Sequence, residues 1–202
     1  HLKQGSIVVE QDQDIKKGDK IGQVGQSGYS EFPHLHFSVI GGGEQIDPFT
    51  GKAMVDGCDG DKKQDNQAQR KQHNMWKDDY AYDPYSIFDG GFRMENPDFN
   101  MIRLGQVNPE IIPIDAPALI YWAGFYHREA GDKFILTIRD PDGNLFVERS
   151  ESVNEPRKRP SYYYVGRKAK GLVLKPGMYT GTIQYEKLGY APKSVTHSVM
   201  VR

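Results

Sequence analysis

The chain has 202 residues with a net charge of −1, 37% hydrophobic and 26% charged residues. The near-neutral balance argues against a generally basic nucleic-acid binder, and 12 Tyr, 9 Phe and 2 Trp argue against a fully disordered chain. No stretch of about 18 apolar residues is present, so no membrane-spanning helix is expected. The single cysteine, Cys58, excludes an intrachain disulfide framework. With 22 Gly and 12 Pro besides the tyrosines, the composition points to a turn-rich, all-β chain rather than a helical bundle.

Charge divides the sequence into three stretches. Residues 1–56 carry 5 basic and 8 acidic side chains, and residues 57–112 carry 7 and 10. Residues 113–202 carry 14 and 9, a net +5. Such asymmetry suggests separate units.

The first stretch reads as short strands. Ser6–Val9 is β-branched, Asp14–Asp19 is a polar bend, and Lys20–Val24 alternates polar and apolar residues as a half-buried strand does. Gly25–Gly28 is a turn, His34–Val39 the next strand, and Gly41–Gly43 another turn. The middle stretch is a linker or extension. Within residues 59–74 only Ala68 is apolar, which predicts a solvated loop or a frayed helix. Aromatics return between residues 75 and 105, and they are expected to pack against a neighbouring domain.

The third stretch predicts a β domain. Phe134–Ile138 and Leu145–Val147 flank Asp140-Pro141-Asp142-Gly143, where Pro141 pre-sets φ and Gly143 can turn left-handed. Further strands are expected at Tyr162–Val165, Gly171–Leu174, Met178–Tyr185 and Ser194–Val201. About seven short strands in this length suggest an immunoglobulin-like β-sandwich.

Chemistry concentrates in one pair of histidines. His34 and His36 stand two apart in a predicted strand, so both face the same side. Two neighbouring imidazoles suit one metal ion or one substrate atom. The alternative is two half-exposed strand residues with Leu35 on the core side. Pro33 fixes the backbone just before the pair. Elsewhere, Gly22, Gly25 and Gly28 lack the spacing of a dinucleotide fingerprint and read as turns. Cys58 is expected to be neutral or structural. His73, His127 and His197 are expected at the surface or internally satisfied. The basic clusters at residues 156–160 and 167–170 read as solvated loops, or as contacts to anionic envelope polymers.

Three stretches together resemble the lysostaphin-type zinc metallopeptidases, peptidase family 23, which cleave peptides of bacterial cell walls. They are His1-Leu2-Lys3-x-Gly5-Ser6-Ile7, the run Lys17-Gly18-Asp19-Lys20-Ile21-Gly22-x-Val24-Gly25-x-Ser27-Gly28, and Pro33-His34-Leu35-His36-Phe37, with Asp47-Pro48-Phe49 in agreement. The resemblance covers residues 1 to about 52. It implies the C-terminal part of a peptidase β-fold (a duplicated hybrid motif) over residues 1–56. It implies that His36 is a zinc ligand and that His1 and His34 are catalytic. The family's other zinc ligands, from a His-x-x-x-Asp motif, are expected upstream of residue 1, and the chain alone is expected to be inactive or feeble. The implied substrate is peptidoglycan peptide, and the implied place is the periplasm or the cell exterior. The rival reading is a non-catalytic envelope scaffold, regulator or wall-binding protein.

Overall fold

The computed structural model describes residues 1–30, 33–54, 75–78, 83, 85–103, 108–156, 160–168 and 173–202. The expectations for residues 59–74, Cys58 and His73 fall outside these residues, as do parts of both basic clusters. The chain is nearly all-β and forms two compact units, His1–Tyr82 and Asp83–Arg202.

In the first unit, strands β1 (Val39–Gly41) and β2 (Glu44–Ile46) form an antiparallel hairpin with Val39 opposite Ile46. Gly42 and Gly43 make its turn with φ of 62° and 87°. Two consecutive positive φ values suit the right-handed twist of the flanking strands, and glycine adopts them without a Cβ clash. The rest of the unit is held by single bridges, Leu2 to Val24, Gly25 to His34 and Ile46 to Ala53. The strand predicted over His34–Val39 therefore appears only as a bridge at His34 and the start of β1 at Val39. A strand is defined by a ladder, and among the described residues the backbone bridge at His34 is an isolated one, to Gly25. Met75 N–H donates to the Pro48 carbonyl at 2.8 Å, and the Trp76 ring lies 5.8 Å from Phe37 and 5.5 Å from Phe49. None of the described residues between 1 and 54 is buried.

The second unit contains β3 (Ser86–Arg93), a short helix α1 (Phe99–Arg103), β4 (Ile111–Ile112), β5 (Ala118–Tyr126), β6 (Lys133–Arg139), β7 (Leu145–Ser152), β8 (Ser161–Lys168), β9 (Gly177–Glu186) and β10 (Lys193–Val201). One sheet has the order β3-β5-β8 and the other β4-β10-β9-β6-β7. All pairings are antiparallel except β4 with β10. Period-two alternation builds the layer between the sheets. Phe134, Leu136 and Ile138 enter it from β6, Tyr179, Ile183 and Tyr185 from β9, and Leu119, Tyr121, Ala123 and Phe125 from β5. Phe125 stacks on Phe134 with ring centroids 4.0 Å apart.

Small residues make room for large ones in this layer. A Cβ at Gly181 would stand 2.3 Å from the Tyr121 ring, so glycine is what lets β9 pass beneath that tyrosine. The sequence Leu174-Lys175-Pro176-Gly177-x-Tyr179 forms a corner in which the Lys175 N–H donates to the Tyr179 hydroxyl at 3.2 Å. A tyrosine near the start of a late strand that bonds back to the preceding turn is a hallmark of immunoglobulin-like sandwiches. The predicted strand over Gly171–Leu174 is not formed at Val173 and Leu174, which lead into this corner instead. The predicted turn at Asp140–Gly143 is present. Asp140 Oδ1 accepts from the N–H groups of Asp142 and Asn144 at 3.0 and 2.9 Å, and Gly143 has φ of 83°.

Residues 86–93, expected as part of the linker or extension, supply an edge strand of the sandwich, and Tyr85 and Phe92 lie in its core. The pairing of β3 with β5 shifts register between Ile87 and Asp89. Gly90 and Gly91 follow, and each faces a polar side chain. A Cβ at Gly90 would stand 2.8 Å from His197, and one at Gly91 2.2 Å from Asn108. Asn108 in turn donates to the Gly90 carbonyl at 3.0 Å and accepts from the Trp122 indole at 2.9 Å. One amide thus ties β3 to β5 across their shared face.

Candidate functional site

Gly25 is the crossing point of the first unit. Its N–H donates to the His1 carbonyl at 3.0 Å, and its carbonyl accepts from the His34 N–H at 3.2 Å. A Cβ there would stand 2.3 Å from the Lys3 nitrogen, a backbone atom that cannot swing aside. Only glycine permits this approach. It sets His1 and His34, 33 positions apart in sequence, on either side of one residue.

The side chains follow from that backbone. The His1 and His34 ring centroids are 4.6 Å apart with planes at 57°, and those of His1 and His36 are 5.4 Å apart at 36°. His1 and His34 are half-buried and His36 is exposed. Each of the first two rings has a polar neighbour at Nδ1. His1 Nδ1 is 2.7 Å from the Ser27 carbonyl oxygen, and His34 Nδ1 is 3.3 Å from the Ser30 hydroxyl. Gln26 Nε2 donates to the Ser30 carbonyl at 3.1 Å and braces the loop that carries that hydroxyl. Leu35, between the two histidines of the pair, is 44% exposed. Asp47, at the far end of the unit, closes its own turn by accepting from Phe49 N–H at 2.8 Å and from the Thr50 hydroxyl at 3.0 Å.

The structure thus brings His1, His34 and His36 together. Sequence reasoning overlooked Gly25, Ser27 and Ser30 as parts of this arrangement. Gly25 and Ser27 stand in a run already noted for its turns, but a backbone crossing and a carbonyl partner leave no mark on residue type. As imidazole nitrogen donors, the three rings suit a borderline-soft divalent cation such as zinc. Among the described residues, however, no group of three or more His, Cys, Asp or Glu side chains is placed to hold a metal ion.

The remaining described histidines belong to the sandwich. His127 has φ of 59°, and its carbonyl accepts from the Tyr185 hydroxyl at 3.1 Å and from Lys187 Nζ at 3.3 Å. His197 on β10 lies 3.0 Å from the Tyr121 hydroxyl through Nδ1. Burial pulls its imidazole below the ordinary value, against a smaller upward pull from Asp89. Beside His127 lies a buried polar knot. Asp132 Oδ2 accepts from the Tyr185 hydroxyl at 2.7 Å, from Glu129 N–H at 2.7 Å and from Lys187 Nζ at 3.3 Å. Lys187 Nζ also reaches Glu129 Oε2 at 2.9 Å. Burial works against the Lys187 charge, but the two carboxylates outweigh it and hold the ammonium above its ordinary value. Burial, with Asp132 adding to it, pushes the Tyr185 phenol up, so that hydroxyl stays a donor.

The sequence profile of peptidase family M23 matches residues 1–48. That stretch contains all three histidines, and the match supports a peptidase-family relationship for it. No curated protein sequence matches the chain. Among solved structures, the chain is similar to the CARDB domain of a Pyrococcus furiosus protein in complex with di-metal ions, at 13% identity and a TM-score of 0.33. That alignment covers 46% of this chain and 81% of the other. It is also similar to the C-terminal domain of Wzt, at 10% identity and a TM-score of 0.36, covering 61% of this chain and 76% of that one. No described helix is long and apolar enough to cross a membrane.

Proposed function

We propose that residues 1–54 contribute to a zinc-dependent endopeptidase site that cleaves peptides of bacterial peptidoglycan, in the periplasm or outside the cell. The observation that carries this reading is the convergence of His1, His34 and His36, with ring centroids 4.6 and 5.4 Å from His1. The match of residues 1–48 to peptidase family M23 supports it. In this reading His36 is a zinc ligand. Bound zinc would polarise a scissile carbonyl and acidify a water molecule. His1 and His34 would be the imidazoles that hydrogen-bond that water and the carbonyl oxygen. The sandwich of residues 83–202 is an accessory domain.

A second reading, a non-catalytic envelope protein, is favoured by one observation. His36 has no set of further metal donors around it among the described residues. A zinc titration by calorimetry of the 202-residue chain, beside His36→Ala, separates the two. One-to-one binding that disappears in His36→Ala supports the zinc site. Binding that survives the substitution, or no binding, refutes it and leaves the non-catalytic reading. Peptide release from purified cell walls then tests the substrate.

A further inference from the structure

We propose that the outward face of strands β3, β5 and β8 binds a polysaccharide that alternates neutral and acidic sugars. Sugar rings stack on Tyr162 and Tyr164 and on the Phe88–Tyr126 pair, and an acid group meets Lys168. The site belongs to the sandwich alone and stands whether or not the first unit holds zinc.

The two outward faces of the sandwich differ in kind. On the five-stranded sheet the outward positions are polar. Thr137 and Thr196 stand opposite Thr182 in register, the Thr182 and Thr196 hydroxyls are 2.9 Å apart, and the Thr137 hydroxyl donates to Glu148 at 3.1 Å. Such a surface is at home in water. On the three-stranded sheet the outward positions are aromatic instead. Tyr163 and Val165 pack inward, so Tyr162 and Tyr164 point outward, opposite Gly124 and Trp122 of β5. Their rings are 6.4 Å apart and 21° from parallel. A Cβ at Gly124 would stand 2.5 Å from the Phe88 ring, so glycine there lets that ring lie over the strand. Phe88 is 42% exposed and lies 6.3 Å from Tyr126, 15° from parallel. Tyr126, Tyr162 and Tyr164 are half-buried. Trp122 takes no part, because it is buried and its indole N–H is bound by Asn108.

The ligand follows from this chemistry. A ring that keeps a phenol hydroxyl has an apolar face and a polar tip. A sugar ring is its complement, with C–H groups on its faces and hydroxyls around its rim. Charge supplies the acid group. Residues 113–202 carry a net +5. The outward row of β8 continues past Tyr164 through Gly166 to Lys168, which is exposed and meets no carboxylate among the described residues. Lys168 lies four residues beyond Tyr164, about 13 Å along the strand. The other charges beside the face are engaged. Arg93 pairs with Glu95, Arg149 pairs with Glu151 and donates to the Tyr164 carbonyl, and Asp89 accepts from the Gly90 N–H. One unengaged cation among the described residues of the face complements a polymer with an acid group on some of its sugars. It is too sparse for nucleic acid, which carries a phosphate at every nucleotide and needs a positive groove along its backbone.

Nuclear magnetic resonance titration of the ¹³C-labelled full chain tests this with two probes of equal length, a hyaluronan hexasaccharide and the neutral chitohexaose. The ring signals of Phe88, Tyr126, Tyr162 and Tyr164 should shift with both sugars. Hyaluronan should bind more tightly, and only its binding should weaken as NaCl rises. Joint Tyr162→Ala and Tyr164→Ala substitution should weaken both by at least about tenfold. Lys168→Gln should weaken hyaluronan about two- to fivefold and leave chitohexaose unchanged. Urea unfolding checks that the alanine variant keeps its sandwich; if it does not, the ring shifts of the parent chain decide alone. Ring signals indifferent to both sugars, or binding that survives the alanine pair in a folded sandwich, overturn the proposal. Equal affinity for the two sugars overturns it too, since the acid group would then go unread. Tighter binding of hexathymidylate than of hyaluronan overturns it in favour of single-stranded nucleic acid.

Discussion

Removing the Asp132 carboxylate should damage the sandwich more than removing the Lys187 ammonium that pairs with it. The two side chains are 2% and 6% exposed, so this is an interior ion pair. Asp132 Oδ2 serves three donors, namely the Tyr185 hydroxyl, the Glu129 N–H and Lys187 Nζ. Asp132→Ala leaves the Glu129 N–H without its acceptor, leaves the Tyr185 phenol with only the longer contact to the His127 carbonyl, and leaves Lys187 with only the exposed Glu129 carboxylate and the His127 carbonyl. Breaking a buried pair from one side typically costs about 3–5 kcal/mol. Because Glu129 still meets the ammonium, we expect the lower end, about 3 kcal/mol. Lys187→Met keeps the carboxylate and two of its three donors and replaces the ammonium by an apolar group of similar reach. This too leaves a buried charge short of its partner, but the two remaining donors stabilise the carboxylate, so the loss should be smaller, about 1–2 kcal/mol. Urea unfolding followed by tryptophan fluorescence measures both, in a Trp76→Phe background so that Trp122 of the sandwich is the sole reporter. Equal losses in the two variants, or a loss below about 1 kcal/mol for Asp132→Ala, would refute the view that the carboxylate organises this end of the sandwich.

Three other outcomes follow from single contacts. Tyr179→Phe should lower stability by about 1 kcal/mol in the same urea assay, because the Lys175 N–H loses its acceptor at the corner. Gly181→Ala should destabilise by at least about 1–3 kcal/mol, since its Cβ would fall 2.3 Å from the Tyr121 ring; wild-type stability would show that β9 can shift freely. The His197 imidazole is held below its unfolded value by burial, so the unfolded chain takes up the proton first. That part of the stability is complete above about pH 6.5 and is lost as pH falls from there toward the folded value. Urea midpoints measured downward from pH 7 should therefore drop less in His197→Asn than in the parent, and parallel curves would dismiss the effect.

Local chemistry was legible in the sequence, and distant packing was not. The turn at Asp140–Gly143 could be read because Asp, Pro and Gly each act within four residues, and strand β6 before it alternates cleanly. Strand β5 offered no such signal. All its residues but Tyr126 are buried, on both faces, so the run Ala118–Phe125 shows no alternation. Strand β3 contains Gly90 and Gly91 at its centre, which reads as a turn until His197 and Asn108, from elsewhere in the chain, are seen to fill the space. Val173 and Leu174 read as the end of a strand, because the bond from the Lys175 N–H to the Tyr179 hydroxyl that makes the corner is not visible in residue type.

The same distinction explains the first unit. His34 and His36 could be read as a pair from their spacing of two, and both rings approach His1 although no strand ladder forms over them. Their approach to His1 depends on Gly25, whose role lies in a contact with Lys3 more than 20 residues away in sequence. Burial tells a further difference between the units. The sandwich places Phe134, Leu136, Ile183 and Tyr185 wholly out of solvent, whereas Ile7, Val8, Val24 and Ile40 of the first unit are each more than half exposed. Hydrophobic burial drives folding in proportion to the apolar area removed from water. The described part of the first unit therefore relies on backbone crossings and turn hydrogen bonds to hold its histidines. This is why substitution at Gly25, which no side-chain contact can offset, should disperse the three rings. In Gly25→Ala the nuclear Overhauser contacts between the His1 and His34 rings should vanish while those within the sandwich persist. Retention of the His1–His34 contacts would show that something other than this crossing assembles the site.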